Sequence, residues 1–411
     1  MYRKSLVACV TAALLLAASP ALAGPPGPKK PSPPGPFSLA VNPTLSGFAS
    51  DMAFWNVPVT FKNNVYDAVA DYTLGLQVIR SADGKRWDKL PMPMPTDTNY
   101  NNAWGAFVYQ DQLYLSLNQD RCEDPSIQTP GLIVRTKDGK TWQTVFQAGL
   151  VNGLVNQTGQ FGTFKGMLYA VSLVGFGQTG ATQIWRSKSG DPGTWELATP
   201  VFGNNTDFTS PLTTFKGNAY LASHDATGMH LWRSADGATW QTVGETTFNV
   251  NNGAVTNWVG SPLVVFKDML YLGTNPWFYF LGMVYPGGSY DPANYLGGNL
   301  YRSKDGVKWE QVVTNGFGGA TYKAGIDSLV VVNGQLLAFS NDLAPDWSTG
   351  VTNVWRSRTG NSGDWALVSP AGMGSGTLVT KADQAIFKDD LYIGSQLGYG
   401  SGTFVVKMNK P

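Results

Sequence analysis

The sequence predicts an all-β protein folded as a seven-bladed β-propeller of four-stranded antiparallel blades. Two observations indicate this fold. The chain of 411 residues has 48 Gly, 25 Pro and 14 Trp, and only 14% of its side chains are charged. This composition argues against a coiled coil, a disordered chain and a helical bundle. Two short hairpin patterns also alternate along the chain with a period of roughly 54 residues, enough for one four-stranded blade with its loops.

The N-terminal segment reads as a secretory signal over residues 1–23. Arg3 and Lys4 form a basic start, an apolar stretch follows, and Ala21 to Ala23 supply a small-residue cleavage site. We therefore expect a secreted protein, extracellular or periplasmic. No later stretch is apolar over the ~18 residues of a membrane span, so we expect no transmembrane segment.

Residues 24–36 contain seven Pro and three Gly, a composition that neither pairs as a strand nor forms a helix. We interpret them as a semi-rigid extended linker, with a processing remnant of no function as the alternative. Residues 37–411 then form a single propeller domain, which we expect to be a monomer. After cleavage Cys122 is the one remaining cysteine, so no intramolecular disulfide can form.

The charge balance bears on the choice of partner. Lysine and arginine total 29 against 28 aspartate and glutamate, so the chain has no excess charge with which to hold a nucleic acid or an anionic membrane. We expect no nucleic-acid partner.

The first repeated hairpin runs from Thr60 to Tyr66, with a polar turn between apolar runs of period two. That pattern is typical of paired strands. Seven copies occur, and they end at Tyr66, Tyr114, Tyr169, Tyr220, Tyr271, Leu337 and Tyr392.

The second hairpin has a turn of the form Ser/Thr-x-Asp-Gly-x-x-Trp. Four copies keep this spacing, with their acids at Asp83, Asp138, Asp236 and Asp305. In two further copies the Trp comes eight positions after the Ser rather than six, at Ser187 to Trp195 and Ser357 to Trp365. The six tryptophans are Trp87, Trp142, Trp195, Trp240, Trp309 and Trp365. The pattern resembles the Asp-box (BNR-type) repeat of sialidases and related β-propellers, and this resemblance implies an architecture rather than a particular enzyme. We expect Asp to accept turn hydrogen bonds, Gly to adopt positive φ, and Trp to pack on its hairpin.

The repeat count predicts how the ring closes. There are seven first hairpins but six second hairpins, and the last blade ends after a third strand near Phe404. Residues 37–41 resemble residues 365–368, so we expect Phe37 to Val41 to supply the missing outer strand. This closure removes an open sheet edge.

Strand polarity assigns the loops to two faces. Both tight turns of a blade lie on one face, so all the longer loops lie on the other, where we expect the functional site. The loops predicted there span residues 67–76, 91–105, 116–131, 172–182, 222–230 and 273–298.

The longest insertion is rich in aromatic residues. Stiff rings with a polar tip suit stacking on sugars, so the insertion is our candidate glycan-binding platform, through Trp277, Tyr279, Tyr285, Tyr290 and Tyr295. The alternative is a lid with its own small core.

Four residues on the long-loop face are candidate catalytic groups if the protein is an enzyme. His224, Asp225 and His230 lie close together in blade four and fit a base with an orienting carboxylate, two metal ligands, or a pair of surface histidines. Arg121 is the one arginine expected on this face. No cofactor is predicted, and the sequence neither requires nor excludes a divalent cation.

Four aspartates are expected close to the start of innermost strands: Asp51, Asp207, Asp327 and Asp383. We expect these side chains to converge near the axis, where they fit either a cation site or caps that bond the first backbone groups of the strands. A metal site therefore stays undefined at this point.

These features favour a secreted propeller that binds a glycan or another extracellular polymer on its long-loop face. The first alternative is a carbohydrate-active enzyme, either a hydrolase with two aspartates or a lyase that uses a histidine, a tyrosine and Arg121. The second is a cell-envelope scaffold that binds protein. A true sialidase is disfavoured, because the arginine triad and the Phe/Tyr-Arg-Ile-Pro motif of that family are missing from the sequence.

Overall fold

The computed structural model describes residues 36–91, 100–119, 129–174, 181–202, 210–225, 228–244, 248, 259–260, 263–275, 298–318, 325–343, 350–369, 373, 383–396 and 403–408. Thirty strands in these ranges form seven antiparallel sheets, one for each blade, and the sheets confirm the predicted seven-bladed β-propeller. No helix among the described residues is long and apolar enough to cross a membrane.

The first strand along the chain, β1 (Phe37–Val41), belongs to the last blade. Blade 1 has β2 (Ala53–Phe61), β3 (Asn64–Asp71), β4 (Gln77–Ser81) and β5 (Asp88–Leu90). Blade 2 has β6 (Asn102–Tyr109), β7 (Gln112–Asn118), β8 (Leu132–Thr136) and β9 (Trp142–Gln147). Blade 3 has the short β10 (Leu150–Val151), then β11 (Leu154–Phe164), β12 (Met167–Val174), β13 (Ala181–Ser187) and β14 (Glu196–Phe202).

Blade 4 has β15 (Thr213–Phe215), β16 (Asn218–Asp225), β17 (Gly228–Ser234) and β18 (Gln241–Val243). Blade 5 has β19 (Val259–Gly260), β20 (Val264–Phe266), β21 (Met269–Asn275), β22 (Leu300–Ser303) and β23 (Glu310–Val313), followed by one four-residue turn, α1 (Asn315–Gly318). Blade 6 has β24 (Gly325–Val332), β25 (Gln335–Leu343), β26 (Gly350–Ser357) and β27 (Ala366–Ser369). Blade 7 has β28 (Gln384–Phe387), β29 (Asp390–Gln396) and β30 (Thr403–Met408), with β1 as its outer strand.

The ring closes as predicted. β1 pairs antiparallel with β30, with Phe37 opposite Met408 and Leu39 opposite Val406. The two chain ends therefore share one sheet, and the apolar side chains of β30 are covered on both sides. First strands contact one another between blades 1 and 2, 2 and 3, and 7 and 1, which places them around the axis.

The turns of the six second hairpins, called here the Asp-Gly turns, share one hydrogen bond. The first Ser or Thr hydroxyl accepts a bond from the backbone N–H of the Gly three residues later, at 2.7–2.9 Å in every copy. The Gly φ angles all lie between 71° and 77°. The copies with six-residue and eight-residue spacing are thus the same turn up to the glycine and differ after it.

The carboxylate of Asp83 completes its Asp-Gly turn. It accepts bonds from the backbone N–H groups of Lys85 and Arg86, both at 2.8 Å. These bonds stabilise the charged form and lower the pKa of Asp83 to about 2. Asp138 and Asp236 make the same pair of bonds, and their pKa values are lowered for the same reason.

Neighbouring blades are joined by a tyrosine that packs on a glycine. The tyrosine that ends each first hairpin lies against the Gly of the Asp-Gly turn in the next blade, and all six tyrosines are at most 2% exposed. The pairs are Tyr66 with Gly139, Tyr114 with Gly190, Tyr169 with Gly237, Tyr220 with Gly306, Tyr271 with Gly360, and Tyr392 with Gly84.

One of the seven first hairpins, that of blade 6, lacks this tyrosine. Blade 6 has Leu337 at that position, and its neighbour, blade 7, has no Asp-Gly turn because its outer strand comes from the N-terminus. Leu337 instead packs with Met408 and Phe37 at the meeting point of the chain ends. The tyrosine is absent where its glycine partner is absent.

Lysines of the first-hairpin turns reinforce the same boundaries. The Lys62 ammonium donates to the Lys137 carbonyl of the next blade, and Lys216 and Lys388 make the equivalent bonds to Lys304 and Ala82, at 2.9 and 2.8 Å. Lys62, Lys216 and Lys388 also lie over the phenylalanine ring that precedes them. The tight turns are therefore bound to one another around the ring.

The second-hairpin tryptophans pack between blades, and all six are buried or half-buried. Three of them contact a phenylalanine contributed by the preceding blade or the segment after it: Trp195 with Phe146 at 5.5 Å, Trp309 with Phe248 at 5.4 Å, and Trp365 with Phe317 at 5.3 Å between ring centroids. These rings supply apolar contact area between blades.

The tyrosine–glycine contact predicts a specific mutational cost. Gly139 and Gly217 both have positive φ, 72° and 74°, but a Cβ at Gly139 overlaps the Tyr66 hydroxyl whereas a Cβ at Gly217 meets nothing within 4 Å. Gly217→Ala should cost about 1–2 kcal/mol of unfolding free energy for its backbone alone. Gly139→Ala should cost about 1–3 kcal/mol more, because it also overpacks a blade boundary.

Urea denaturation of the two variants measures this difference. Adding Tyr66→Phe to Gly139→Ala should recover part of the loss, because the substitution removes the overlapping oxygen. Equal stabilities for the two alanine variants would contradict the role assigned to the tyrosines.

One blade boundary contains a buried acid. Asp67 of β3 is fully buried on the face of blade 1 that packs against blade 7, in register with Ile79. One carboxyl oxygen accepts a 3.2 Å bond from the Asn56 amide, and the other has no hydrogen-bond partner among the residues that the structure describes. The six equivalent residues are apolar and buried: Leu115, Ala170, Leu221, Leu272, Ala338 and Ile393. Burial, and less strongly the nearby Asp383 charge, raise the pKa of Asp67 to about 7.

This raised pKa predicts a pH-dependent cost. Unfolded Asp67 ionises above pH ~4, whereas the folded group stays protonated up to about pH 7. Wild-type stability should therefore fall as pH rises from 4 to 7, by at most about 4 kcal/mol, and then stay level. Asp67→Asn should raise the unfolding free energy at pH 8 and change it little at pH 4. Asp83→Asn, the control, should instead lower stability at pH 8.

Candidate functional site

The propeller has two unlike halves. We divide each blade at the level of the residue that follows the repeated tyrosine, or that follows Leu337 in blade 6. The long-loop half contains the residues beyond this level, on the side away from the tight turns. The tight-turn half repeats its contacts from blade to blade, as described above. The long-loop half repeats fewer contacts, one being the bond from the indole N–H of Trp185, Trp232 or Trp355 to a serine hydroxyl. Its loops differ in length and sequence from blade to blade, so a single site can be built there.

The structure shortens the expected long loops because strands continue into them: β3 runs to Asp71 and β12 to Val174. The loop expected at 222–230 is shortened most, and its two histidines lie on strands. Residues 222–230 were expected as a long loop, but β16 extends to Asp225 and β17 begins at Gly228. His224 is paired with Met229, and His230 with Ser223, on these adjacent strands. The loop prediction was wrong here because the short apolar run before His224 continues as a strand to the end of the hairpin.

His230 is the histidine whose side chain the structure describes. It is half-buried at the long-loop end of blade 4, and its ring centroid lies 6.2 Å from that of Trp232. The indole N–H of Trp232 donates to the Ser223 hydroxyl at 2.9 Å. His230 is thus held in a partly solvated, polar and aromatic setting.

The other candidate residues of this face lie outside the described residues. They are Arg121, Asp207, Trp277, Tyr279, Tyr285, Tyr290 and Tyr295. The aromatic platform and the catalytic role of Arg121 therefore stay predictions.

First strands bend where they line the long-loop end of the axis. The register shifts between Ala103 and Ala106 in β6, between Thr158 and Phe161 in β11, and between Ile326 and Ser328 in β24. A bulge redirects side chains and is frequent beside functional sites. The bulged residues described here are Trp104 with Gly105, Gly159 with Gln160, and Asp327.

Asp327 is the best-supported carboxylate of this end. It occupies the β24 bulge and is partly exposed. The Asn275 amide of blade 5 donates to one oxygen, and the Asn341 amide of its own blade donates to the other. Both asparagines are at most 5% exposed, and the Asn341 amide oxygen accepts a 2.5 Å bond from the Thr352 hydroxyl. Two buried amides from two blades therefore fix the position of one accessible carboxylate.

Further polar groups continue from Asp327 around the axis. The Gln384 amide of blade 7 donates to the Ser328 hydroxyl of blade 6. Asp383 precedes β28 and is half-buried. The expectation that the aspartates stand before innermost strands holds for Asp383, whereas Asp327 lies within its strand. These polar side chains, from Asn275 in blade 5 to Asp383 in blade 7, lie on three consecutive blades.

The opposite side of the axis has a different character. The Gln160 amide of blade 3 donates to the backbone carbonyl of Trp104 in blade 2, and Trp104 itself is half-buried. A carboxylate on one side and an indole on the other match what a sugar ring offers, namely hydroxyl donors at its edge and an apolar face.

A metal site is not apparent among the residues that the structure describes, since no three His, Cys, Asp or Glu side chains gather there. Both oxygens of Asp327 already accept amide bonds and can accept further bonds from ligand hydroxyl groups. The arrangement is therefore suited to hydrogen bonding a polar ligand.

The sequence contains no signal for Asn275 and Asn341. Each lies on the second strand of its blade, four residues after Tyr271 or Leu337, so an alignment of the repeats gives them equivalent positions but no function. Their role depends on the β24 bulge, which brings Asp327 between them. A one-residue irregularity of this kind leaves no mark on period-two patterning.

The architecture is similar to that of solved β-propellers that act on carbohydrates. Polysaccharide lyase Uly1 aligns over 86% of this chain and 90% of its own, with a TM-score of 0.51 and 12% identity. A PL25 ulvan lyase bound to -[GlcA(1-4)Rha3S]- aligns over 86% and 94%, with a TM-score of 0.49 and 8% identity. The endosialidase of phage phi92 aligns over 91% and 69%, with a TM-score of 0.45 and 10% identity.

No protein-family model matches the sequence, and no curated protein matches it. At the identities above, the likeness shows a shared fold. The resemblance of the Asp-Gly turns to the Asp-box repeat stays a prediction.

Proposed function

We propose that the protein binds an extracellular polysaccharide at the long-loop end of its axis, around Asp327. The observation behind this proposal is the fixed, accessible carboxylate of Asp327 between the buried amides of Asn275 and Asn341. Carboxylates that are oriented in advance bind sugar hydroxyl groups through charge-assisted hydrogen bonds.

The contacts of the tight-turn half argue against a ligand site on that side. There, the Asp83 carboxylate is bonded to its own turn, the Tyr392 hydroxyl packs on Gly84, and Lys388 binds the Ala82 carbonyl. The same contacts recur around the ring and hold the blades together. Groups used in this way are not available to orient a ligand.

The fold is consistent with this role. The similarity to polysaccharide lyase Uly1 covers most of both chains, although a shared fold does not by itself determine function. In keeping with a polymer outside the cell, we propose that residues 1–23 are a signal peptide, residues 24–36 a linker, and residues 37–411 one domain. The aromatic insertion that contains Trp277 is proposed as part of the same binding face.

The test uses affinity electrophoresis of the mature protein in gels containing galactan, xyloglucan, chitosan or ulvan. Asp327→Asn removes the charge but keeps one acceptor, so it should weaken binding of the retained polymer about tenfold or more. Asp327→Ser provides a second variant that cannot make both amide contacts.

Asp268→Asn is the matched control. Asp268 lies in a tight turn and is 3.4 Å from the Lys216 ammonium on an exposed surface, so its loss should leave binding unchanged. Thermal melts of each variant separate a binding defect from a folding defect. Equal retention of the Asp327 and Asp268 variants, both folded, would remove Asp327 from the site.

Cleavage of the bound polymer is a second candidate function, favoured by the fold shared with a polysaccharide lyase. Hydrolysis would use Asp327 as one of two carboxylates, and elimination would use a base such as His230. Incubation with each polymer distinguishes them: both reactions release reducing ends, but only elimination adds an unsaturated product that absorbs near 235 nm.

His230→Ala tests the elimination mechanism. If His230 is the base, turnover should fall by at least a hundredfold while retention in the gel is kept. No release of reducing ends from any polymer that is bound would leave binding as the function.

A further inference from the structure

The basic side chains of the described residues are confined to one half of the propeller, whereas acidic side chains occur in both. No lysine or arginine among the described residues lies in the long-loop half. Four aspartates whose side chains the structure describes lie there: Asp51, Asp71, Asp327 and Asp383. A chain with almost no net charge therefore presents a negative half and a positive half.

The positive half follows directly from the repeat. The strand before each Asp-Gly turn has a basic residue paired with the position of the repeated tyrosine. Arg80 is paired with Tyr66, and Arg135 with Tyr114. The turns themselves add lysines such as Lys62 and Lys388. These cations serve the blade boundaries, and so the segregation is built into the architecture.

The sequence of the connections outside the described ranges has the same sign. Between residues 92 and 402 these segments contain three basic residues, Arg121, Lys323 and Lys381. They contain eight acidic residues: Asp97, Asp120, Glu123, Asp124, Asp207, Glu245, Asp291 and Asp346.

We propose that the long-loop face selects polysaccharides without negative charge, namely neutral or amino-sugar polymers, and rejects uronates and sulfated or sialylated chains. This inference rests on the proposed function and specifies its ligand class. At low ionic strength a field of one sign extends about 10 Å or more from the surface, so a polyanion is repelled before it reaches Asp327.

The same charge pattern separates the two cleavage reactions. Elimination from a uronate is assisted by a cation or a hydrogen-bond donor beside the sugar carboxylate, which stabilises the charge that develops. The described part of the long-loop half has no lysine or arginine for this role, and its carboxylates repel the uronate. Hydrolysis of a neutral sugar needs only carboxylates and water, and is the reaction that this face suits.

Pairs of polymers, each with one neutral or cationic and one anionic member, test the selection, and the salt dependence separates charge from differences in linkage. Binding of galactan and polygalacturonate, and of chitosan and hyaluronan, is measured by biolayer interferometry in 20 mM and 500 mM NaCl. The galactan or chitosan member should bind at least tenfold more tightly than its anionic partner in 20 mM NaCl. That preference should shrink in 500 mM NaCl because salt screens the repulsion.

Charge reversal on each face supplies the matched pair of variants. Asp51→Lys changes an exposed residue just before β2 in the long-loop half, and should raise affinity for the anionic polymer about threefold in 20 mM NaCl. Asp389→Lys makes the same change in an exposed tight turn and should leave that affinity unchanged. Tighter binding of the anionic members by the wild-type protein, weakened by Asp327→Asn, would overturn the selection.

A second measurement tests the charge pattern without a polysaccharide. Paramagnetic relaxation of backbone amides is recorded with a cationic and an anionic nitroxide of equal size. The cationic probe should relax exposed amides near Asp51 and Thr73 several-fold more than the anionic one, with the reverse near Lys137 and Lys308. If no polymer binds but this pattern is found, the proposed function and the selection of polysaccharides both fail, and only the charge difference between the faces is confirmed. If polymers bind without charge preference although the pattern is found, the selection alone fails. Equal relaxation by the two probes overturns the selection.

Discussion

The packing of a buried tyrosine on the glycine of the next blade is the contact on which the ring depends. It requires two things at once, a residue without Cβ at positive φ and a ring long enough to cross the blade boundary. Blades 1 to 5 each supply a tyrosine to one neighbour and a glycine to the other, blade 6 supplies only the glycine and blade 7 only the tyrosine, so six boundaries have the same contact. The seventh boundary has Leu337 beside the joined chain ends.

This constraint divides the molecule by function. Turns that must hold the next blade cannot vary, so the tight-turn half keeps its serines, aspartates, glycines and lysines. The connections on the other side differ among blades in length and composition. Asp327 shows the result: a bulge in one first strand, with amides from two blades, makes an arrangement found in no other described blade.

The number of blades, the closing strand and the turn chemistry could be predicted from the sequence because each repeats or completes a repeat. Residues 37–41 were assigned to the last blade on their likeness to residues 365–368, and β1 confirms it. Asp327 was recognised only as one of several axial aspartates. Its partners Asn275 and Asn341 depend on a bulge, and the burial of Asp67 depends on which face of β3 meets blade 7. Neither follows from residue periodicity.

The central claim is that one half of the ring holds the blades together and the other half holds a polysaccharide. Hydrogen exchange with and without a saturating polymer tests this claim most directly, using the polymer retained in affinity gels. The account predicts added protection in peptides from β21, β24 and β25, at their long-loop ends, and none in the Asp-Gly turns around Asp83 and Asp305. Protection confined to those turns would contradict it.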